Sequence, residues 1–393
     1  MRFISAKHIF PISSEPIKDG VVQVDDSGKI IALGPRSDFG TVDIEHYEGL
    51  ILPGFINAHC HLELSHMKGL CETGLGLLTF IGRVMALRAF EKDVILKAIK
   101  TRDKEMYDSG IQAVGDICNA LDTFQTKEES PIAYYSFVEF FYLMQSGMTA
   151  ASIDQYRKVF DGQSDRGLNK KSMVPHAPYS VTPELFKYIN DNNQGDCSIS
   201  IHNQETPDEI QMFQEGTGGF YAFYNNLNMS LDAFKPPMRS PVHYISAELK
   251  AQHRNLFVHN TLTNADDIKH IHTWSENAYW VSCPNANLYI ENRLPDYTCF
   301  LDNNAKVCLG TDSIMSNWQL SIWEEIKTIK KYQSFVELEE LFRWATLNGA
   351  NALSYEDRMG SIEQGKYPCL VHVDVNWKGP DTDISQSVSK RIL

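Results

Sequence analysis

Two histidines one residue apart close the run Pro53-Gly54-Phe55-Ile56-Asn57-Ala58-His59-Cys60-His61. If residues 55–61 are extended, side chains at i and i+2 share a face, so His59 and His61 present two imidazoles side by side. Neutral imidazole is the commonest nitrogen ligand for zinc or iron, and the pair reads as half of a divalent-metal site. An isolated His-x-His is equally well a core-edge pair bonded to backbone. Further ligand types at the ends of other apolar runs decide between the two. Asp116 and Glu139 occur where the next runs end; then come His176, His202 with Glu205 three residues on, His259, and Asp312 after Gly310-Thr311. Each alone has an ordinary explanation, such as a helix cap for Asp312. Five histidines and an aspartate at the same end of successive strands would converge on one place.

The elements that must position them follow from periodicity. Counting from Phe55, eight apolar runs read as strands: 55–61, 111–117, 134–141, 172–175, 198–201, 256–258, 279–282 and 306–309. Helical patterns separate most of them, at 91–108, 152–160, 183–190 and 264–272, with a helical tract at 335–353. Eight βα repeats over about 300 residues predict a closed parallel barrel whose strand C-termini share one chemical face. A doubly wound open sheet is the alternative, but no Gly-rich dinucleotide loop follows any strand. Residues 1–52 read instead as short strands (1–10, 21–24, 29–33) with an Asp25-Asp26-Ser27-Gly28 hairpin turn, and the tail has a similar texture with a strand at 369–375. Residues 1–52 and 354–393 are therefore expected to pair as a small β-rich domain beside a barrel spanning 53–353.

The chain has 393 residues, 43% hydrophobic and 22% charged, with a net charge of −14. That composition fits a globular protein and argues against nucleic acid or an anionic membrane as the main partner. The eight cysteines include no Cys-x-x-Cys pair, which suggests neither a disulfide framework nor a thiolate zinc site. No run has the length of a membrane span and the N-terminus does not read as a signal peptide, so the expected location is the cytoplasm.

On the Pro53–His61 signature, the strand-end residues above and Gly360-Ser361-Ile362-Glu363-x-Gly365-Lys366, the sequence resembles the amidohydrolase superfamily, in particular its mononuclear deaminase and chlorohydrolase branch. The resemblance implies an α/β fold: a distorted (β/α)8 TIM barrel with a small β-sandwich domain formed by both chain ends. It implies His59, His61, His202 and Asp312 as ligands of one divalent metal, Zn2+ first and Fe2+ second. The binuclear branch carries a bridging carboxylated lysine where this chain has His176. Glu205 takes the position of the general acid/base, His259 that of the histidine holding the attacking water and developing oxyanion, and Asp312 that of the proton acceptor.

His176-Ala177-Pro178-Tyr179-Ser180 resembles the motif of S-adenosylhomocysteine, methylthioadenosine and aminodeoxyfutalosine deaminases, whose histidine faces the ribose. Leu62-Glu63-Leu64-Ser65 is most similar to the aminodeoxyfutalosine enzymes of a menaquinone route. The resemblance thus implies a 6-aminopurine nucleoside substrate. Glu63 is read as a substrate contact or a group orienting a ligand histidine, Phe80 as a stacking partner, and Arg83 or Arg88 as a partner for a substrate carboxylate. The loop 69–88 is expected to fold over the barrel mouth, and the aromatic residues of 207–241 form a second candidate lid. Aminodeoxyfutalosine is the substrate expected first; deamination of S-adenosylhomocysteine, methylthioadenosine, adenosine or guanine, triazine chlorohydrolysis and a non-catalytic barrel remain the alternatives, and a homodimer stays open. The His202-Asn203-Gln204-Glu205 motif departs from the family's usual Ala-containing form, and Tyr367-Pro368-Cys369-Leu370 from its usual Leu-Ala-Asp-Leu.

Overall fold

The structure is a computed structural model that describes residues 1–145, 147 and 150–393. Fourteen strands are assigned among them. Four come first: β1 (Arg2–Ile9), β2 (Ile17–Val24), β3 (Ile30–Pro35) and β4 (Glu45–Pro53). Eight follow: β5 (Phe55–Cys60), β6 (Ile111–Cys118), β7 (Ala133–Phe140), β8 (Lys170–Pro175), β9 (Ser198–Asn203), β10 (Arg254–His259), β11 (Ala278–Ser282) and β12 (Val307–Leu309). The last two are β13 (Leu370–Val373) and β14 (Ser389–Arg391).

The eight central strands are parallel and neighbour in sequence order, as two four-stranded sheets, β5–β8 and β9–β12. Every residue of β5, β7, β9 and β11 is buried, as expected for parallel strands covered on both faces. The sheets meet at two seams where regular pairing stops. At one, a single bridge joins Cys60 to Asp312. At the other, the His202 N–H donates to the His176 carbonyl at 2.9 Å, and Ser172 Oγ donates to the Ser198 carbonyl at 2.6 Å. The result is the distorted parallel barrel, and both seams lie among the histidines.

The chain ends build one six-stranded sheet in the order β14-β13-β4-β1-β2-β3. The expected hairpin turn joins β2 to β3, with the Gly28 N–H on the Asp25 carbonyl at 3.0 Å and Gly28 at φ 83°. β4 has a polar first half that hides it from an apolar-run reading. It pairs parallel to β1 and antiparallel to β13. The apolar run through Pro53-Gly54 belongs to two sheets: the chain leaves β4 and enters β5 across Gly54 alone. A Cβ there would collide with Cys369 Sγ and the Gln112 side chain, so glycine is required by contact. The tract at 335–353 is two helices, Leu338–Ala345 and Leu347–Ala352, broken at Thr346. Residues 77–87, expected as part of a loop over the mouth, form a helix, Leu77–Leu87. No helix among the described residues is long and apolar enough to cross a membrane.

Beneath the first histidine strand lies a buried ion pair. Asp116, at the end of β6, meets Lys127 Nζ at 2.6 Å, with side chains 0% and 2% exposed. Its other oxygen accepts the Leu62 N–H at 2.7 Å, fixing the chain just past His61. Lys127 also donates to Ser136 Oγ at 3.0 Å. Burial disfavours the ammonium, but Asp116 outweighs it and holds the Lys127 pKa above its usual value. Removing the cation leaves a desolvated carboxylate. Lys127→Met is therefore expected to destabilise the fold by about 3–5 kcal/mol, read as a lower urea midpoint. A loss below about 1 kcal/mol, the scale of an exposed pair, would show that the pair is not desolvated as described.

Candidate active site

The strand C-termini bring His59, His61, His202 and Asp312 together at the floor of a cavity of about 420 Å³. His59 ends β5 fully buried, and His61 stands one residue past the strand, so both rings reach the same spot. Their Nε2 atoms are 3.1 Å apart. Asp312 Oδ1 lies 3.3 Å from the Nε2 of His61 and 3.7 Å from that of His59. His59, His61 and His202 form a group whose ligand atoms all lie within 4.8 Å of one another. Tetrahedral coordination at roughly 2.0–2.1 Å puts neighbouring ligand atoms about 3.4 Å apart. These spacings and this chemistry, three imidazoles and a carboxylate turned inward, fit one divalent metal.

Backbone geometry aims each group. Gly310 lets β12 lie against His59: a Cβ there would sit 2.9 Å from His59 Cβ. Beyond it, the Thr311 and Asp312 N–H groups both donate to the His59 carbonyl at 3.0 Å. Asp312 adopts the left-handed φ of 56° and accepts Ser316 Oγ–H on Oδ2 at 2.5 Å. His202 donates Nδ1–H to the His176 carbonyl at 2.7 Å, which leaves Nε2 as the bare, metal-competent nitrogen. Burial pushes the Asp312 carboxyl up, but the surrounding histidines outweigh it and hold it below the usual carboxylate range. Burial lowers the His61 pKa to about 4, keeping its ring neutral at pH 7.

Glu205 and His259 face each other beside this group, with His259 Nε2 3.6 Å from Glu205 Oε1. His259 sits at φ 76° and donates Nδ1–H to Asn287 Oδ1 at 2.8 Å, so Nε2 is the nitrogen turned to Glu205. Glu205 is positioned through its backbone: Glu209 accepts the Gln204 and Glu205 N–H groups at 3.0 and 3.1 Å. Burial, followed by the nearby Asp312 carboxylate, pushes the Glu205 pKa well above its usual value. Burial thus favours the protonated form of this carboxyl, which stands beside an imidazole.

Of the expected substrate contacts, Glu63, His176 and Phe80 line the cavity. Glu63 accepts the Asn119 and Ala120 N–H groups at 2.8 and 3.2 Å and pairs with Arg88 at 3.2 Å. Arg83 does not line the cavity. On the helix Leu77–Leu87, Phe80, Ile81, Val84 and Met85 face it, with Arg88 following in phase, and Arg83 falls off that stripe. Arg88 therefore stands where Arg83 or Arg88 was expected. Of the second lid, Phe220, Phe223 and Tyr224 line the cavity, while Phe213 and Phe234 pack behind it. Sequence reasoning gave no role to Asn287 or Ser316. The Asn-Ala-Asn run after β11 was the only signal for the first, and nothing local marked the second.

Residues 50–392 match the sequence model of the amidohydrolase family. An adenosine deaminase of Helicobacter pylori is 28% identical over 325 residues, covering 81% of this chain and 77% of that protein. An aminodeoxyfutalosine deaminase of Nitratiruptor sp. is 28% identical over 351 residues, covering 84% and 81%. The solved structure of Helicobacter pylori aminofutalosine deaminase in complex with methylthio-coformycin superposes with a TM-score of 0.80 at 24% identity, covering 96% of this chain and 93% of that one. The family match spans most of the chain, its eight central strands and the whole constellation at their ends: this protein belongs to the amidohydrolase family and is a hydrolase of amidine-type substrates.

Proposed function

We propose that this protein is a metal-dependent hydrolytic deaminase of a 6-aminopurine nucleoside, with aminodeoxyfutalosine as its substrate. One observation carries the reading: a buried Glu205 carboxyl 3.6 Å from His259 Nε2, on the same cavity floor as three histidines and one aspartate of ligand type. Deaminating a purine needs an acid for the ring nitrogen next to the attacked carbon, an acceptor for the water's proton and a donor for the developing oxyanion. Names of relatives support the class, and Glu63 with Arg88 supports the finer choice.

His59, His61, His202 and Asp312 hold the metal in this reading. Bound there, a divalent metal supplies Lewis-acid activation of water at neutral pH. Glu205 donates its proton to the ring nitrogen adjacent to the amino-bearing carbon, so negative charge does not build up on the ring. Asp312 accepts the proton of the attacking water. His259, with Nδ1–H committed to Asn287, offers Nε2 as an acceptor to that water's O–H and orients it. Asp312 then passes its proton to the exocyclic nitrogen, the new hydroxyl returns its proton to Glu205 as the ring carbonyl forms, and ammonia leaves. Phe80 and Phe220 supply apolar faces for the purine, and Arg88, 43% exposed, keeps donors free for a carboxylate on the substrate.

The metal-loaded protein should release ammonia from aminodeoxyfutalosine in preference to S-adenosylhomocysteine, methylthioadenosine, adenosine and guanine. Turnover of guanine alone, or of none, overturns the reading. Glu205→Gln should lower kcat by about 10²–10⁴-fold while bound metal per chain, measured by atomic emission, stays the same. Chelation should abolish turnover and lower the thermal midpoint, and added Zn2+ should restore both; activity that survives complete metal removal contradicts the ligand assignment. Arg88→Met should raise KM for aminodeoxyfutalosine about tenfold or more and leave KM for adenosine nearly unchanged. An equal rise for both substrates would place Arg88 in support of Glu63 instead of on the carboxylate.

A further inference from the structure

Glu139 ends β7 on the cavity lining, and the steps above give it no task. Its Oε2 accepts an Asn119 Nδ2–H at 3.2 Å. Its Oε1 is buried and has no hydrogen-bond partner. His202 Nδ1 lies 3.7 Å from that oxygen, but its N–H is already given to the His176 carbonyl at 2.7 Å. Glu139 therefore does not orient His202. Leaving a buried acceptor unpaired costs about 1–3 kcal/mol, and the side from which a partner can come is the cavity.

His176 offers a second open acceptor beside it. Ser180 Oγ donates to the Ala177 carbonyl at 3.1 Å, so it accepts from His176 Nδ1–H at 2.7 Å. The Nε2 of His176 is then bare, and burial keeps the ring neutral. Glu139, His176 and His202 bring ligand-type atoms within 4.8 Å of one another. A second cation is disfavoured there, because His202 Nδ1 carries its proton and the other nitrogen belongs to the His59–His61 group. A hydrogen-bond donor suits the place. Asn119 joins it to Glu63: its backbone N–H goes to Glu63 Oε2 at 2.8 Å and its amide to Glu139 Oε2 at 3.2 Å. Glu63, Asn119 and Glu139 thus make one polar wall. A purine whose reacting edge meets Glu205 and His259 carries its sugar at the opposite end of the bicycle, away from those two groups.

We propose that Glu139 is a specificity-determining residue of this site: its Oε1 hydrogen-bonds a sugar hydroxyl of the nucleoside, beside His176 Nε2, and so selects hydroxylated substrates over their deoxy analogues. The assignment rests on the nucleoside-deaminase reading. A hydroxyl both gives and accepts, so the contact holds in either protonation state of the carboxyl.

The test is steady-state ammonia release by the metal-loaded wild type, Glu139→Leu and Glu139→Gln, each with adenosine, 2′-deoxyadenosine and 3′-deoxyadenosine. Wild type should prefer adenosine over at least one deoxy analogue by roughly 10- to 100-fold in kcat/KM. Glu139→Leu should lose that preference through a higher KM for adenosine, with kinetics on the disfavoured analogue near those of wild type. Glu139→Gln keeps a polar group and the Asn119 bond, and should retain most of the preference. A Leu variant that loses the same factor on all three substrates shows a structural role and overturns the assignment, as does a wild type indifferent to both hydroxyls. Wild type that deaminates neither these three nor aminodeoxyfutalosine overturns the nucleoside-deaminase reading, and the assignment with it; if only aminodeoxyfutalosine turns over, Glu139→Leu should raise its KM, and an unchanged KM overturns the assignment.

Discussion

The site depends on two carbonyl oxygens at the seams of the barrel. The His59 carbonyl accepts the Thr311 and Asp312 N–H groups, and the His176 carbonyl accepts the backbone and ring N–H of His202. Each net bond contributes about 1 kcal/mol, little in a fold of this size. Their consequence is geometric. No regular ladder joins the two sheets at these seams, so much of what closes the barrel there is made by bonds among the proposed ligand residues and their neighbours. Barrel closure and ligand convergence are one event: a chain that fails to join β12 to β5 has no Asp312 beside His59 and His61.

Part of the strained backbone lies at the same positions. His259 and Asp312 have φ of 76° and 56°, and Gln204, two residues past ligand His202, has φ of 49°. Such conformations cost about 1–3 kcal/mol each for residues with a Cβ. They persist because their surroundings over-determine them. Asp312 is held by the His59 carbonyl and Ser316, and His259 by Asn287. Gln204 is locked by its amide bonds to Ser240 and Asp267 and by its N–H to Glu209. The strain turns side chains at strand ends inward, where a relaxed exit into a helix would carry them over the rim.

Much of this was legible in the sequence. Parallel strands buried on both faces appear as bare apolar runs, and a polar residue at the end of such a run stands out, which is why His59, His202, His259 and Asp312 could be named in advance. Other features depend on quantities a linear pattern does not carry. β4 was hidden because its first residues include the polar, exposed Glu45, His46 and Glu48, which lie outside any apolar run. The choice between Arg83 and Arg88 turns on the phase of a helix whose apolar stripe serves the cavity and not the core. Glu139 reads as one more strand-end carboxylate, and only the packed structure shows that one of its oxygens is satisfied and the other is not.

The cavity holds Glu63, Glu139, Glu205 and Asp312 against the single guanidinium of Arg88. Four ionised carboxyls in so small a space would repel one another and any substrate carboxylate. Burial resolves this unevenly. Asp312 stays charged because three histidines surround it, whereas burial raises Glu205 strongly and pushes Glu139 up to about 8. The cavity is therefore less anionic than its four carboxyls suggest, with Glu63 paired to Arg88 and burial favouring the protonated forms of Glu139 and Glu205. That suits a neutral purine with hydroxyls on its sugar. The same contrast fits the proposed chemistry: the environments that separate Asp312 from Glu205 favour an ionised carboxylate at the first, as a proton acceptor needs, and a protonated carboxyl at the second, as a proton donor needs.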